Sequence, residues 1–452
     1  MRNFNADDII YAPATAWAMG AIAVIRVSGA GCIDSIAPDF KVAGGKNLSE
    51  RASASATYGS LKDIDDCVIT IYRGSRSYTG EESLEISCHG GLQTVKEILS
   101  YLSEKGFRKA EGGEFTLRAF LHGKMDLTRA EAVNELILSR GEVSKAMALD
   151  RLNGSLFRRI QIIRDRLLTV MGRLEVQLDY SEDEIGEDLT FPRKEVMASL
   201  SEIDALINSF SAGRLYSQGA RVVICGRTNA GKSSLFNLFL KQERAIVSPI
   251  KGTTRDFLEA QCTVNSIPIR LYDTAGFRDA LEVETLEDGI EKEGIRRSEE
   301  LAETADLVIY MTDASEPVDE KYGPSRCIKV LNKTDIASEM SFKPPFDSYL
   351  RLSVSTGEGF NELCSKITEK LEEGIIIPSS GDPVIENERQ KANLERASEA
   401  LKAALTNEEN GLPLDLIAPD IQEALEALGE ITGEVTTEDI LDNIFSNFCV
   451  GK

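Results

Sequence analysis

The sequence predicts a multidomain α/β protein, in which a parallel-sheet domain is inserted into a helical domain and a smaller α+β domain stands in front. Three observations carry that expectation. Residues 214–376 alternate candidate strands with candidate helices, the signature of a mostly parallel sheet. On both sides of that region apolar residues recur at steps of three and four, the period of an amphipathic helix. At 452 residues the chain exceeds what one core supports.

The elements follow in order. In residues 1–118, the runs 21–27 (AIAVIRV), 67–72 (CVITIY) and 83–88 (SLEISC) read as strands. Residues 92–105 read as an amphipathic helix stopped by Gly106. From 119 to 213 the pattern is helical. Leu149, Leu152, Leu156, Ile160, Ile163, Leu167, Val170, Leu174 and Leu178 form one apolar stripe, which predicts a helix over 143–180 with a weak spot at Asn153–Gly154. A second helix is expected over 192–212. The middle region, 214–376, offers strands at 221–225, 258–264, 269–272, 307–311, 327–331 and 349–354. From 377 to 452 the chain is helical again, at 386–406, 413–428 and 437–447.

Composition narrows the function. Apolar residues make up 42% and charged residues 28%, ordinary for a folded protein. No stretch approaches the ~18 consecutive apolar residues of a bilayer span, and the first ten residues are too acidic for a signal peptide. Eight cysteines lie far apart without a CxxC pair, and there are two histidines. A disulfide framework or zinc site is not expected, and a reducing cytoplasmic setting is. A formal charge of −23 excludes a whole-surface nucleic-acid binder, so any such contact needs a local basic patch or a partner.

The chemistry lies in the middle region. Gly226–Ser234 (GRTNAGKSS) follows an apolar strand and opens a helix, the context in which GxxxxGK[ST] cradles phosphates. Backbone N–H groups of Asn229, Ala230, Gly231, Lys232, Ser233 and Ser234 are expected to turn toward the phosphates. Lys232 neutralises β- and γ-oxygens, and Ser233 offers a hydroxyl to Mg²⁺. Asp273-Thr274-Ala275-Gly276 ends a strand. Asp273 suits a magnesium-bound water, and the Gly276 N–H suits a γ-phosphate. Asn332-Lys333-Thr334-Asp335 follows another strand, and a buried Asp335 carboxylate would accept from guanine N1–H and N2 while being left unpaired against adenine. Ser353-Val354-Ser355 fits the loop that meets guanine O6. Gly252–Asp256 (GTTRD) supplies a threonine to cap Mg²⁺, Thr254 slightly preferred to Thr253. Five pieces in this order predict a GTPase. The residue after DTAG is Phe277, where Ras-type enzymes orient water with glutamine, so hydrolysis needs another water-holder and another source of positive charge.

Over essentially its whole length the chain resembles the bacterial tRNA-modification GTPase family MnmE (TrmE). The marks are YTGE at 78–81, CHGG at 88–91, GEF and RAF at 113–120, KMDL with AEA at 124–132, and FCVGK at 448–452. The resemblance implies a Ras-like G domain inserted in a helical domain, behind an N-terminal domain that forms a homodimer and binds a tetrahydrofolate derivative (5,10-methylene or 5-formyl). It implies a flavin (FAD)-dependent MnmG-type partner, with which a (carboxymethyl)aminomethyl-type group is installed at C5 of the wobble uridine of tRNA. It also implies folate contacts at Arg26, Glu85, Lys124 and Lys452. There, arginine and lysine would suit the glutamate tail and a carboxylate the pterin edge.

For the missing glutamine the resemblance implies K⁺, bound by Asn229 and by backbone carbonyls of a loop including Ser248, Ile250 and Thr253, in place of an arginine finger. The water-orienting residue implied is Glu291, before Gly294-Ile295, with Glu287 or Glu293 open because this chain carries about six extra residues there. Cys449 is implied to take part in the modification chemistry, although such a cysteine is more often a small buried apolar residue. The ending CVGK fits a prenylation box poorly. His89 and His122 are expected to pack or hydrogen-bond locally. Arg151, Arg158, Arg159, Arg164, Arg166 and Arg173 make one helix basic; a solvated face is the simpler reading and a tRNA-facing stripe the other. The alternative function is a regulatory GTPase switch of ribosome assembly, but no KH-type module with a GxxG loop is evident.

Overall fold

The computed structural model describes residues 7–179, 190–226, 229–242, 258–273, 303–315, 326–337, 346–377, 381–446, 448 and 450–451. Its contacts divide the chain into two compact units, one of Met1–Ile137, Arg151–Val196 and Glu399–Lys452, the other of Leu138–Asp150 and Met197–Ser398.

The first unit holds a seven-stranded sheet. Its strands are β1 (Ile10–Pro13), β2 (Ile22–Ser28), β3 (Phe40–Val42), β4 (Ser55–Leu61), β5 (Asp65–Tyr72), β6 (Ser83–His89) and β7 (Arg108–Lys109). The spatial order is β3-β4-β5-β6-β2-β1-β7, antiparallel except where β7 joins β1. Alternation places Ile25 and Val27 of β2, Ile69 and Ile71 of β5, and Leu84 and Ile86 of β6 in the core, with α1 (Cys32–Ile36) and α2 (Leu92–Glu104). The predicted strands and helix are present, and α2 ends before Gly106, which has a φ of 84°. The sequence reading missed β1, β3, β4 and β7.

Helices α3 (Glu114–Leu121), α4 (Leu127–Leu138), α5 (Glu142–Leu152), α6 (Ser155–Asp179) and α7 (Arg193–Gln218) follow. The single helix expected over 143–180 is two helices. The weak spot is a break, because Gly154 takes a left-handed φ of 85° and Arg158 donates to the Asn153 carbonyl at 2.7 Å. The apolar stripe is buried from Leu156 to Leu174, while Leu149 and Leu178 are exposed.

The second unit holds β8 (Ala220–Gly226), α8 (Lys232–Gln242), β9 (Leu258–Val264), β10 (Ile267–Asp273), β11 (Leu307–Asp313), β12 (Cys327–Asn332), β13 (Leu350–Arg351) and α9 (Phe360–Glu372). The order β13-β12-β11-β8-β10-β9 is parallel throughout except for the β9–β10 hairpin, a Ras-like sheet. β8, β11 and β12 read as near-continuous apolar runs because both faces of a parallel sheet are covered. β13 is two residues long, shorter than the run 349–354, because Ser353 turns off the edge and donates its N–H to the Glu358 carbonyl at 2.9 Å.

The chain ends in α10 (Glu388–Glu409), α11 (Leu414–Thr432) and α12 (Glu438–Phe445), the last capped by Thr437, whose hydroxyl accepts from the Ile440 N–H. Within the first unit, α11 packs along α6. Among the described residues no helix is long and apolar enough to cross a membrane.

Candidate functional site

All C-terminal ends of the parallel strands β8, β10, β11 and β12 open to one edge of the sheet, where ligands of such folds bind. Gly226 ends β8 with a φ of 130°, and a Cβ there would lie 2.1 Å from the Met311 carbonyl of the neighbouring strand. Only glycine lets the loop leave so close to β11. Asn229 holds a left-handed φ of 63°, a conformation asparagine tolerates. The next turn delivers Gly231 to the start of α8, whose first-turn N–H groups and dipole favour an anion. Lys232 is buried and donates Nζ to the Gly226 carbonyl at 2.9 Å, so its ammonium lies across the loop it serves.

Asn332 closes the loop from the other side. Its Nδ2 donates to the Ala230 carbonyl at 2.8 Å, and its Oδ1 accepts the Val354 N–H at 3.1 Å. One buried side chain thus joins the phosphate loop, β12 and the Ser353–Ser355 loop. Lys333 follows in a left-handed conformation, with Nζ 2.5 Å from Asp313 Oδ2. Burial pushes the Asp313 carboxyl up, but Lys333 and Ser315 outweigh it and hold it below the usual carboxylate range.

Asp335 differs from expectation: it is exposed, not buried, because Lys333–Asp335 turns outward from β12. Its carboxylate accepts from the Ser353 hydroxyl at 2.7 Å and the Ser355 hydroxyl at 3.1 Å. The Ser353 hydrogen bond, more than any other contact, holds it below its ordinary value. Aimed by two serines, it sits at the rim of a cavity of about 520 Å³ that reaches Gly231 and is also lined by Lys333, Ile336 and Val354. Asp273 is fully buried at the end of β10, in register with Ile224 of β8, and Ser233 lies in the first turn of α8.

Asn229, Ala230, Gly231, Lys232, Ser233, Ser234, Asp273, Asn332, Lys333, Asp335, Ser353 and Val354 are therefore at this edge of one sheet. Ser248, Ile250, Thr253, Thr254, Gly276, Phe277 and Glu291, with the alternatives Glu287 and Glu293, lie outside the described residues, as do Cys449 and Lys452. Asp313 was missed; its signal was its place at the end of β11, opposite Asn332.

In the first unit, Arg26 of β2 faces Glu85 of β6 and donates to it from Nη2 at 2.9 Å. The guanidinium lies over the Tyr78 and Phe115 rings, at 5.3 and 5.7 Å, and reaches the Gly451 carbonyl at 3.4 Å. The C-terminal segment thus meets the N-terminal sheet, where Val450 also bridges Gly112. Lys124 Nζ donates to the Ser75 carbonyl at 2.6 Å. The loop carrying Tyr78 is held by α3 and the residue after it. Tyr78 bonds Thr116 at 2.9 Å, the Thr79 carbonyl meets His122 Nδ1 at 2.8 Å, and Glu81 pairs with buried Arg118 at 3.1 Å. Arg118 also pairs with buried Glu114, which takes Arg108. His89 bonds Asp65 at 2.7 Å, so both histidines make local hydrogen bonds.

The arginines of this basic run lie on two helices, Arg151 on α5 and the rest on α6. Arg151 is buried against Glu135, Arg164 pairs with Glu434, Arg173 with Glu195, and Arg158 bonds backbone.

A family model described as the MnmE helical domain matches residues 127–449, and one described as the GTP-binding protein TrmE N-terminus matches residues 9–124. The chain is 40% identical to the tRNA modification GTPase MnmE of Treponema denticola over 485 aligned positions, covering 99% of each chain. It is 37% identical to that of Borrelia recurrentis, covering all of both chains, and 37% identical to that of Clostridioides difficile, covering 99% of each. With both ends of the chain matched by the family's own models and full-length relatives well above 30% identity, the chain belongs to the MnmE (TrmE) family of tRNA modification GTPases.

Proposed function

We propose that this chain binds GTP between Gly231 and Asp335, hydrolyses it, and uses the cycle in modifying tRNA. The observation that carries the reading is Asn332, which ties the phosphate loop at Ala230 to the base loop at Val354. Backbone N–H groups at the start of α8 and the Lys232 ammonium hold the phosphates, while Asp335 accepts from the guanine edge. Ser233 and Asp273 are the hard oxygen donors that suit Mg²⁺, and Asn229 with carbonyls of Ser248, Ile250 and Thr253 would suit K⁺. These cations would supply positive charge at the phosphates in place of an arginine finger. Thr254 would cap the magnesium site, Gly276 would sense the γ-phosphate, and Glu291, or else Glu287 or Glu293, would orient water.

The finer reading is a homodimer that works with an FAD-dependent MnmG-type partner in the cytoplasm, acting at C5 of the wobble uridine. Its segments are read as 1–118, 119–213, 214–376 and 377–452. A tetrahydrofolate derivative would lie at Arg26, Glu85, Lys124 and Lys452. Arg26 and Glu85 are in contact, so they would act as one unit, with Lys124 as a further cation. The meeting of Arg26 with the Gly451 carbonyl supports a place for Lys452 and Cys449 at the same site.

Mass analysis of wobble uridines in a deletion strain tests this function. Loss of the C5 group supports it; intact uridines with defective ribosomal subunits would favour the ribosome-assembly switch. Equal GTP turnover in K⁺ and Na⁺ would remove the cation from the scheme.

A further inference from the structure

We infer that α8 reads the sugar of the bound nucleotide through Asn237 and Lys241, so that the site selects ribonucleotides over their deoxy counterparts. The inference rests on the guanine-nucleotide reading and extends it to a part of the ligand that the sequence motifs leave unassigned.

The phosphate end of the cavity is Gly231 and the base end is Asp335 with Ser355. Between them the wall is one face of α8, formed by Ser234, Asn237, Leu238 and Lys241. Those positions are spaced i, i+3, i+4 and i+7, so they form a single stripe. The opposite face of the helix, with Leu235, Phe236 and Phe239, is spent in the core. Ser234, Asn237 and Lys241 are exposed, and neither Asn237 nor Lys241 makes a hydrogen bond or ion pair with a described residue.

A nucleotide joins phosphate, sugar and base in that order. With its two ends fixed at Gly231 and Asp335, the sugar lies beside this stripe. An asparagine amide carries both a donor and an acceptor, which matches a hydroxyl that gives and takes one hydrogen bond. Lys241, a donor only, suits the second hydroxyl oxygen, and half-buried Leu238 offers apolar contact to the ring between them.

Isothermal titration of the full chain with GDP and with 2′,3′-dideoxy-GDP tests the assignment. Asn237→Ala should weaken GDP about three- to ten-fold, the scale of one neutral hydrogen bond, and leave the dideoxy ligand unchanged. Lys241→Met should show the same asymmetry. Both positions are solvent-facing, so matching far-UV spectra with wild type will establish that the variants fold. Equal weakening of both ligands, or no weakening of GDP, overturns the inference. If wild type binds neither ligand, the guanine-nucleotide reading itself falls.

Discussion

The side-chain amide of Asn332 reaches across 102 residues of chain to hydrogen-bond the Ala230 carbonyl at 2.8 Å. Its other atom takes the Val354 N–H, so one residue sets the distance between phosphate loop and base loop. Asn332→Ala removes both partners at once. Each buried group left unsatisfied costs about 1–3 kcal/mol, so the substitution should cost at least about 2 kcal/mol of binding. Calorimetry should then show GDP bound roughly thirty-fold more weakly. An affinity within two-fold of wild type would show that the loops keep their spacing without it.

Asp335 should decide which base is bound. Its carboxylate offers acceptors only, matching the N1–H and N2 donors of guanine. Asp335→Asn replaces one acceptor with a donor, which suits the C2 carbonyl of xanthine. GDP affinity should fall by about 100-fold and xanthosine diphosphate should become the better ligand, as competition against a fluorescent nucleotide would measure. Ser353 holds this carboxyl below its ordinary value, so it stays ionised above the ordinary carboxylate pKa of ~3.9. Its contribution to GDP affinity should therefore be constant from pH 8 to pH 5. A titration with a midpoint between those values that disappears in Asp335→Asn would contradict that.

Much of this site was legible because its pieces are local. A glycine-rich loop between strand and helix, and polar residues closing apolar strands, announce themselves within ten residues. What escaped depends on pairs distant in sequence. The arginines of α6 read as a basic face, yet Arg164 meets Glu434 and Arg173 meets Glu195. Asp313 has no motif of its own; beyond its place at the end of β11, it gains meaning from its ion pair with Lys333. Asn153–Gly154 was legible as a weak spot, but the apolar period continued through it, and side-chain spacing does not encode the left-handed φ that makes it a full break. Asp335 was expected to be buried, but burial depends on how the loop leaves β12, which the four-residue motif does not specify.

The ion network behind the N-terminal sheet should give the first unit an acid limb. Burial pushes the Glu114 carboxyl up, but Arg108, the Glu111 N–H and Arg118 outweigh it and leave it below its unfolded value. A carboxyl depressed on folding contributes stability that is full above its unfolded pKa and is lost as pH falls through the folded one. Stability should therefore decline below about pH 4.5, near the unfolded glutamate value. Glu114→Gln should flatten that decline. At pH 7 it should cost about 3–5 kcal/mol, because it leaves Arg118 buried with one carboxylate fewer. Trp17, the sole tryptophan, lies in this unit and can report its unfolding in urea. An unchanged midpoint at pH 7 would show the network to be dispensable.

Gly226 tests whether the phosphate loop depends on its close approach to β11. Its φ of 130° is one that L side chains rarely adopt, and an alanine Cβ would stand 2.1 Å from the Met311 carbonyl. That oxygen belongs to a strand paired on both sides, with β8 and with β12, so it cannot withdraw without breaking a ladder. The same glycine carbonyl takes the Lys232 ammonium, so a displaced loop also moves the cation meant for the phosphates. Overpacking and the wrong φ together should destabilise the second unit by at least about 2 kcal/mol. Loss of GDP binding should exceed what the lowered stability explains, because Lys232 and the start of α8 shift together. Hydrogen exchange at the β8 and β11 amides, read beside GDP affinity in Gly226→Ala, separates the two effects. Native protection with native affinity would show that β11 yields to a methyl group and that glycine here is not required by packing.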